Sequence, residues 1–494
     1  MLRWFFGLLL LGFSPCLFAQ DVVDIDTEEP VKMTLEEALL IALENNISLQ
    51  IDRLDPQITE LGEDIAKAAF DTGFDAGVTY TDDEVTNVDG ETRSANDIIA
   101  GAGLTQRLPS GTRLNLDVDF RRDEPTAVNQ DDKRYTDSVN TELRITQALL
   151  QGRGRDVGLA SIRRAQIGTD ISRQQLRRFI ETLIYNVTVS YWDLFLEQQK
   201  LKVYQESYAL AVEHQREVEV FILNGKRPEI ELATVQAEVS SRRERLIKSR
   251  GDIDKVRLSL ISIMNYQTLT PRGWDEKILP TDDPQKTYDE PDDVDTYVAI
   301  AMLKRPEIRE SELRLERDQV DLIVTKNGLL PRLDFFITLG NTEFANSFKD
   351  GNDTENDEQY AELGLNYSFS FGRRAEKARY LQDRLTEEQS NLALSNLKDT
   401  INREIRRAYI DCMTNLQSIE AVTATLELRR QALNTQKIKF EHGEATNNAI
   451  ANAQRDLLES EINHTEAIVD YVLSRMRLHY LDGSLIERLG LDVP

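Results

Sequence analysis

After its first 20 residues the sequence contains only five histidine and cysteine side chains, the residue types most often found in transition-metal sites: His214, His442, His464, His479 and Cys412. They lie far apart along the chain and show no spacing typical of a metal site. His442 precedes a glycine at the predicted end of a helix, where a protonated imidazole interacts favourably with the helix dipole. There is also no phosphate-binding glycine loop, nucleophile elbow or metalloprotease helix. These residues predict no enzyme activity, no cofactor and no bound metal.

The charge of the chain limits its partners. The formal net charge is −27. Nucleic acids require a basic surface, and so does docking onto anionic lipid headgroups, so both are excluded as charge-driven partners. The acid-rich run 352–358 is most simply a solvated loop.

Residues 1–19 are predicted to be a signal peptide, because Arg3 precedes an apolar run and Ala19 provides a small residue for cleavage. A transmembrane anchor is the alternative, although the apolar run is short for a bilayer. Cys16 lies in this leader, and its lipidation stays open, although Pro15 fits poorly with lipoprotein processing. Cleavage after Ala19 would leave Cys412 as the only cysteine, so we expect an exported chain without an internal disulfide.

The chain contains a duplicated unit. Residues 180–260 align without a gap onto 398–478 at an offset of 218, which pairs Gly225 with Gly443. The segments before them match more weakly at an offset of 259, so the first repeat carries an insertion of about 41 residues. The predicted organisation is a signal peptide (1–19), a first repeat (20–265) with an inserted hairpin at about 82–140, a linker (266–292), a second repeat (293–482) and a C-terminal tail (483–494).

Each repeat predicts a helix, then strands, a very long helix, a glycine turn and a returning helix. Thr34 and Glu37 form a capping box that opens the first helix, which we expect to run to about Phe70, and its counterpart is expected over about 294–330. The long helices, about 157–223 and 374–442, would be rods of about 100 Å. Apolar residues recur along the first at coiled-coil spacing, and we expect such rods to pack against other subunits: Leu176, Ile180, Leu183, Val187, Tyr191, Leu194 and Leu201.

Short segments before the long helices alternate apolar and polar residues, as in strands with one apolar face: 74–80, 98–108, 113–120, 141–146, 333–339 and 363–371. Long acidic loops join them on one side and the tight turn 108–112 on the other. This arrangement is typical of outer-membrane barrels. A soluble β-sandwich is the alternative.

Several local segments, in this order and in a duplicated chain, resemble the TolC-like outer-membrane efflux protein family. They are Thr34 to Asn46 in the opening helix, 147–155 and 330–333 at the junctions of strands and helices, and the turn at Gly443 with the following 453–458. The resemblance covers nearly all of the chain after the leader.

The resemblance implies an α+β membrane protein. Long antiparallel coiled-coil helices would form a trimeric α-barrel, and each subunit would add strands to a shared transmembrane antiparallel β-barrel. Such a homotrimer is a channel through the outer membrane and periplasm, the passive exit duct of a tripartite efflux pump or type I secretion system. Its partners would be a periplasmic adaptor (membrane fusion) protein, an inner-membrane transporter of RND, ABC or MFS type, and outer-membrane lipid.

The resemblance also indicates candidate site residues at the periplasmic tips. Glu231 and Asn452 could form polar rings that narrow the closed end, although Glu231 could equally be a solvated acid at a helix start. The residues expected to contact the adaptor are Gly225, Lys226, Arg227, Pro228, Gly443, Glu444, Ala445 and Thr446. Because the first tip is the more basic and the stiffer, the two tips are predicted to bind the adaptor unequally.

The insertion departs from the family pattern, since it holds the strand-like segments 98–108 and 112–120. Each subunit would then supply six strands, and a trimer would close an 18-stranded barrel. A folded extracellular hairpin is the alternative. At the level of function, a soluble periplasmic coiled-coil adaptor or scaffold is the alternative to a channel.

Overall fold

The computed structural model describes residues 29–86, 88, 92–123, 136–226, 228–284, 290–345 and 354–491. The predicted signal peptide and Arg227 lie outside these residues. The strands are β1 (Val31–Met33), β2 (Gly73–Thr86), β3 (Thr92–Arg107), β4 (Thr112–Asp123), β5 (Thr136–Ala148), β6 (Ile278–Pro280), β7 (Arg332–Ala345) and β8 (Thr354–Ser368). The helices are α1 (Leu35–Asn45), α2 (Ile47–Asp52), α3 (Leu54–Lys67), α4 (Arg155–Gly158), α5 (Ala160–Leu223), α6 (Ile230–Met264), α7 (Val294–Lys304), α8 (Pro306–Gly328), α9 (Arg374–Glu441), α10 (Asn447–Leu481) and α11 (Leu485–Arg488).

The two long helices are confirmed. Helix α5 has 64 residues and α9 has 68, so each is a rod of about 100 Å. Each rod turns at a glycine and returns antiparallel as α6 or α10, and both return helices have 35 residues. In the described part of the chain, no helix combines the length and the apolar character needed to cross a membrane.

The prediction of one continuous helix before each set of strands is wrong. The Thr34 capping box forms as expected, with the Thr34 hydroxyl accepting from the backbone N–H of Glu37 at 3.2 Å. The first segment then breaks at Asn46, whose side chain caps α2. The second segment breaks at Arg305, which is extended because Pro306 follows it and disfavours helical backbone. Asn46 and Arg305 are 259 residues apart, so both breaks fall at equivalent points of the duplicated unit.

Six strands form one antiparallel sheet in the order β2-β3-β4-β5-β7-β8. Strands β2 and β7 begin at Gly73 and Arg332, also 259 residues apart. Strands β3 and β4 have no counterpart among the described residues of the second repeat, and they therefore constitute the inserted hairpin. Both predicted strand segments of the insertion, 98–108 and 112–120, lie in this sheet, paired in continuous register with their neighbours.

The main apolar core lies where α5 crosses α1, α6 and α10. Ile184, Val187 and Leu194 on α5 have no exposed surface and pack with Leu260 of α6 and Val472 of α10. This corrects one expectation, since the predicted apolar stripe of α5 is largely covered within its own chain. The return helices and the short opening helices supply the cover that the sequence pattern alone did not assign.

Other helices expose apolar stripes instead. On α2 and α3, a stripe with alternating steps of four and three residues is between 52% and 76% exposed: Ile47, Ile51, Leu54, Ile58, Leu61 and Ile65. Near the start of α9, Leu381, Leu385 and Leu392 are 53%, 55% and 66% exposed. Spacing of this kind is that of a coiled-coil seam. The unpaired seams therefore lie on α3 and α9.

A charged cluster joins α5 to the C-terminal segment. Arg177 donates from Nε to Glu181 Oε1 at 3.3 Å and from Nη2 to Glu487 Oε1 at 3.0 Å. Lys304 Nζ donates to the other oxygen of Glu487 at 3.1 Å. Glu181 is only 3% exposed, and its burial raises its pKa to about 7 despite the neighbouring guanidinium. Folding therefore favours the protonated form of this carboxyl group.

The Glu181 carboxyl group should make stability depend on pH. Between its ordinary pKa of 4.5 and about 7, the folded state holds a proton that the unfolded state has lost. The free energy of unfolding should therefore fall as pH rises through this range and level off above it. Glu181→Gln should remove this contribution and raise the midpoint of thermal unfolding at pH 8, measured by circular dichroism at pH 5.5 and 8.

Glu487→Gln is the control, and its effect on the midpoint of thermal unfolding should have the opposite sign. The Lys304 and Arg177 hydrogen bonds hold the pKa of Glu487 below its usual value, although burial acts in the other direction. Its substitution should lower the midpoint at pH 8. An unchanged pH slope in Glu181→Gln would contradict the assignment.

Candidate functional site at the hairpin tips

The two hairpin tips have the same backbone structure. Gly225 and Gly443 adopt left-handed conformations, with φ of +69° and +77°. The N–H of Lys226 donates to Phe221 O at 2.9 Å, and the N–H of Glu444 donates to Lys439 O at 2.8 Å. The N–H of each glycine donates to the carbonyl three residues before it, which completes a Schellman motif. Glycine is needed at both places because other residues are strained at positive φ.

The first tip exposes basic and apolar groups together. Lys226 Nζ lies 5.9 Å from the centroid of the Phe221 ring. Leu223 and Ile230 flank the turn and are 86% and 77% exposed. Pro228 is exposed just before α6. This tip therefore presents an apolar surface beside a lysine.

The second tip is held to its return helix, α10, by a side-chain cap and by apolar packing. The Thr446 hydroxyl accepts from the N–H of Ala449 at 3.3 Å and caps α10. Ala445 is 9% exposed and packs in an apolar cluster, whereas Glu444 is exposed. His442 Nδ1 donates to the Ile438 carbonyl at 2.8 Å. The second tip thus offers a carboxylate where the first offers the lysine.

An apolar cluster holds the two hairpins together at the tips. Phe440 of α9 is 5% exposed and packs with Val218 of α5, Val235 of α6, and Ile450 of α10. Its ring also lies edge-on to Phe221, with centroids 6.1 Å apart. One aromatic side chain thus contacts both repeats.

A hydrogen bond between polar side chains crosses between the hairpins beside this cluster. Asn447 Nδ2 donates to Glu231 Oε2 at 2.5 Å. Asn447 is 7% exposed, whereas Asn452, the other predicted constriction residue, is exposed. The structure therefore brings Glu231 to Asn447, and it does not bring Glu231 and Asn452 into a hydrogen bond. A cavity of about 420 Å³ lies alongside, lined by both Asn447 and Asn452.

His214 lies in the wall between this cavity and a second one of about 630 Å³. It is 7% exposed, its Nδ1 lies 3.5 Å from Glu217 Oε2, and its ring lies edge-on to Phe440. Nε2 has no hydrogen-bond partner within the described residues. The histidine therefore serves mainly as a packing residue of the tip.

Sequence reasoning missed Asn447 and Phe440. Asn447 occupies the position equivalent to Glu229 in the first repeat, so a comparison of the two helix starts could have marked it. Phe440 is aligned with Ile222, so the sequence repeat by itself did not single out the aromatic residue as a contact between hairpins. The pairing itself follows from the lateral packing of the hairpins, which the sequence alignment does not contain.

Residues 298–484 match the family model described as outer membrane efflux protein. No curated protein matches the chain by sequence. The fold, however, is that of several solved channels. The CmeC outer membrane channel of Campylobacter jejuni superposes with a TM-score of 0.66 at 15% identity, over 93% of this chain and 90% of that one.

Two further structures superpose over a similar extent. A membrane protein from Pseudomonas aeruginosa gives a TM-score of 0.69 at 16% identity, covering 93% of this chain and 95% of the other. The open state of the MtrE outer membrane channel of Neisseria gonorrhoeae gives 0.64 at 14%, covering 91% and 89%. Residues 298–484 thus match the outer membrane efflux protein family, and the chain as a whole has the fold of these solved outer-membrane channels.

Proposed function

We propose that three copies of this chain assemble into a channel across the outer membrane and periplasm. It serves as the passive exit duct of a tripartite efflux pump or type I secretion system, with a periplasmic adaptor and an inner-membrane transporter of RND, ABC or MFS type. The observation that carries the proposal is that each chain, as far as its residues are described, has an unpaired edge strand and an exposed apolar helix stripe on both of its sides.

The incomplete sides are aligned with one another. Strands β2 and β8 are the edges of the sheet, and each pairs with one strand only in the described chain. Helix α3, with its exposed stripe, leads directly into β2, and α9, with the other stripe, follows β8. The side of one copy that carries α3 and β2 can therefore pack against the side of the next copy that carries α9 and β8, with helix beside helix and strand beside strand. Head-to-tail contacts of this kind generate a ring when the rotation from one copy to the next closes on itself.

The sheet has the two faces expected of a wall between lipid and water. One transverse row of paired residues is entirely apolar: Phe74, Leu104, Leu116, Leu143, Leu339 and Ala361. Phe74 and Leu339 are 70% and 48% exposed in the single chain. These observations support insertion of the sheet in the outer membrane.

Extraction distinguishes this function from that of a soluble periplasmic scaffold. The channel should stay in the outer-membrane fraction after osmotic shock and should need detergent for release as a trimer. A monomer recovered from the shock fluid without detergent would overturn the proposal.

The bond between Glu231 and Asn447 is proposed to help hold the periplasmic end closed. Glu231→Ala should raise single-channel conductance in a planar bilayer and weaken block by divalent cations. A hydrogen bond to a charged group contributes about 1.5–3 kcal/mol, so the open fraction should rise on the order of tenfold. Glu229→Ala removes an equal charge two residues away and should change neither property. Unchanged conductance and block in Glu231→Ala would contradict this role.

The two tips are proposed to bind the adaptor unequally. Replacing Lys226 and Arg227 by glutamate should weaken adaptor binding more than Glu444→Lys, the reversal at the repeat-equivalent position of Lys226. The reason is that the first tip combines basic residues with exposed Leu223 and Ile230. The measurement is co-purification of the adaptor with the channel. If the charge reversal at the first tip leaves co-purification of the adaptor unchanged, the proposal that the two tips bind it unequally is wrong.

A further inference from the structure

The inserted hairpin β3–β4 is a full part of the wall. Gly103 of β3 pairs with Asp75 of β2 on one side and with Asp117 of β4 on the other. Strands β3 and β4 have 16 and 12 residues, comparable with the 14 of β2. The hairpin therefore adds two strand widths to the sheet of each copy.

The helices below the sheet lie in a matching lateral order. Helices α3, α5, α8 and α9 pack successively against one another, and each is joined in sequence to one strand: β2, β5, β7 and β8 respectively. Packed helices lie roughly 8–10 Å apart, so four of them span about 36 Å of circumference. Six strands at about 4.8 Å, tilted by about 40°, span about 37 Å, whereas four would span about 25 Å. The inserted pair thus makes the sheet as wide as the helical layer.

The face opposite the apolar row is polar and rich in glycine. The neighbouring transverse row consists of Asp75, Gly103, Asp117, Glu142, Gly340 and Tyr360. An alternating strand that is apolar on one face and polar on the other places its polar face toward a water-filled interior. This row would therefore line the passage.

Side chains of the lining row lie along the wall, over the glycines. A Cβ added to Gly103 would lie 2.8 Å from Asp117 Oδ1 and 3.1 Å from both Asp75 oxygens. A Cβ on Gly340 would collide with the ring of Tyr360, whose hydroxyl reaches across to donate to Glu142 Oε2 at 2.8 Å. Folded against the strands in this way, the large side chains leave the interior open.

We propose that the inserted hairpin widens the outer-membrane exit to the full width of the helical tunnel, so that bulky hydrated cargo meets no narrowing at the membrane. The inference rests on the proposed channel function. With three copies the closed sheet has 18 strands and a backbone radius of about 18 Å, compared with about 12 Å for 12 strands. The cargo class is polar and large relative to what a 12-stranded exit would pass.

The test compares the intact protein with a variant lacking residues 92–123. This deletion removes β3 and β4, leaves residues 87–91 and 124–135 to connect β2 to β5, and places Asp75 opposite Glu142 with both still on the polar face. A reporter thiol, introduced by Glu362→Cys, lies on the same face in exposed β8. It is separated from the outer end of the strand by about 25 Å. The native Cys412 is buried.

Maleimide-linked polyethylene glycols of increasing size are added to intact cells, so that access is from outside and independent of the periplasmic tip. The largest polymer that labels the reporter thiol should have a radius in the deletion variant of at most about two-thirds of that in the full-length chain, because the lining side chains take the same thickness from both. Asp117→Asn is the control: it keeps the hairpin, so the largest polymer that labels the reporter thiol, which is the size cut-off, should not change. Equal cut-offs with and without the hairpin would overturn the inference. Failure of even the smallest maleimide to label would instead contradict the channel itself.

If the deletion variant does not assemble, the intact protein still decides the question. An electron cryo-microscopy map in lipid nanodiscs should show 18 strands around the passage. A wall of 12 strands with β3–β4 folded outside it would overturn the inference while leaving the channel function intact.

Discussion

Lysine in place of both Ile58 and Leu61 is expected to leave the protein as monomers. The two side chains are 62% and 61% exposed in the single chain, in the middle of the α3 stripe. Burying an aliphatic side chain of this size contributes about 1.5–3 kcal/mol, so each subunit contact would lose about 3–6 kcal/mol before the cost of burying two ammonium groups. Since every contact in the ring carries the same change, assembly should fall more than about a hundredfold.

Size-exclusion chromatography with light scattering in detergent measures this outcome directly. Glu60→Lys is the matched control, because it introduces the same ammonium group at an exposed polar position of the same helix, away from the stripe. It should assemble normally. A trimer-sized particle from the double-lysine variant would show that the α3 stripe is not a subunit contact.

Phe440→Ala is expected to make the periplasmic end leak. The ring is almost fully buried among side chains of α5, α6 and α10, and removing a buried phenylalanine costs about 3–5 kcal/mol. The loss falls on the contact between the two hairpins, because Phe440 belongs to one repeat and Val218 and Val235 belong to the other. The hairpins should therefore separate at the tips while the distant core around Tyr191 stays intact.

The leak is measured as the sensitivity of cells to a large polar antibiotic in the absence of the transporter, and as raised conductance in a planar bilayer. Leu223→Ala is the matched control, since it removes a comparable apolar side chain that is 86% exposed at the same tip. It should leave both readouts unchanged. Normal sensitivity and conductance in Phe440→Ala would show that the cluster does not keep the tips together.

Local sequence patterns predicted much of the secondary structure. The capping box at Thr34, the glycine turns at 225 and 443, and the alternating strands all appear where the sequence indicated them. These features depend on near neighbours in the chain: a side chain that caps its own helix, or a residue without Cβ where φ must be positive. The breaks at Asn46 and Arg305 are local as well, because the Asn46 side chain caps α2 and Pro306 disfavours helical backbone at Arg305, and apolar spacing alone does not reveal them.

Contacts between residues that are far apart in the chain were harder to predict from the sequence. The apolar spacing of α5 gave no indication whether another copy or the same chain would cover it, because hydrophobic burial is not directional and any apolar surface can satisfy it. The structure assigns that cover to α1, α6 and α10, and it leaves one apolar stripe on α3 and one on α9 exposed. In the same way, Glu231 was identified as a tip residue, but its hydrogen bond to Asn447, 216 positions away, depends on how the two hairpins lie side by side.

The sequence by itself determined the duplication, the long rods, the position of the insertion and the resemblance to the TolC-like family, because periodicity and turn residues are written along one chain. Only the tertiary structure decided that β3 and β4 join the same sheet as the other four strands, and that one phenylalanine and one asparagine tie the tips. Strand order and contacts between hairpins are set by which surfaces meet in space, and a pattern of apolar and polar residues is compatible with several such arrangements.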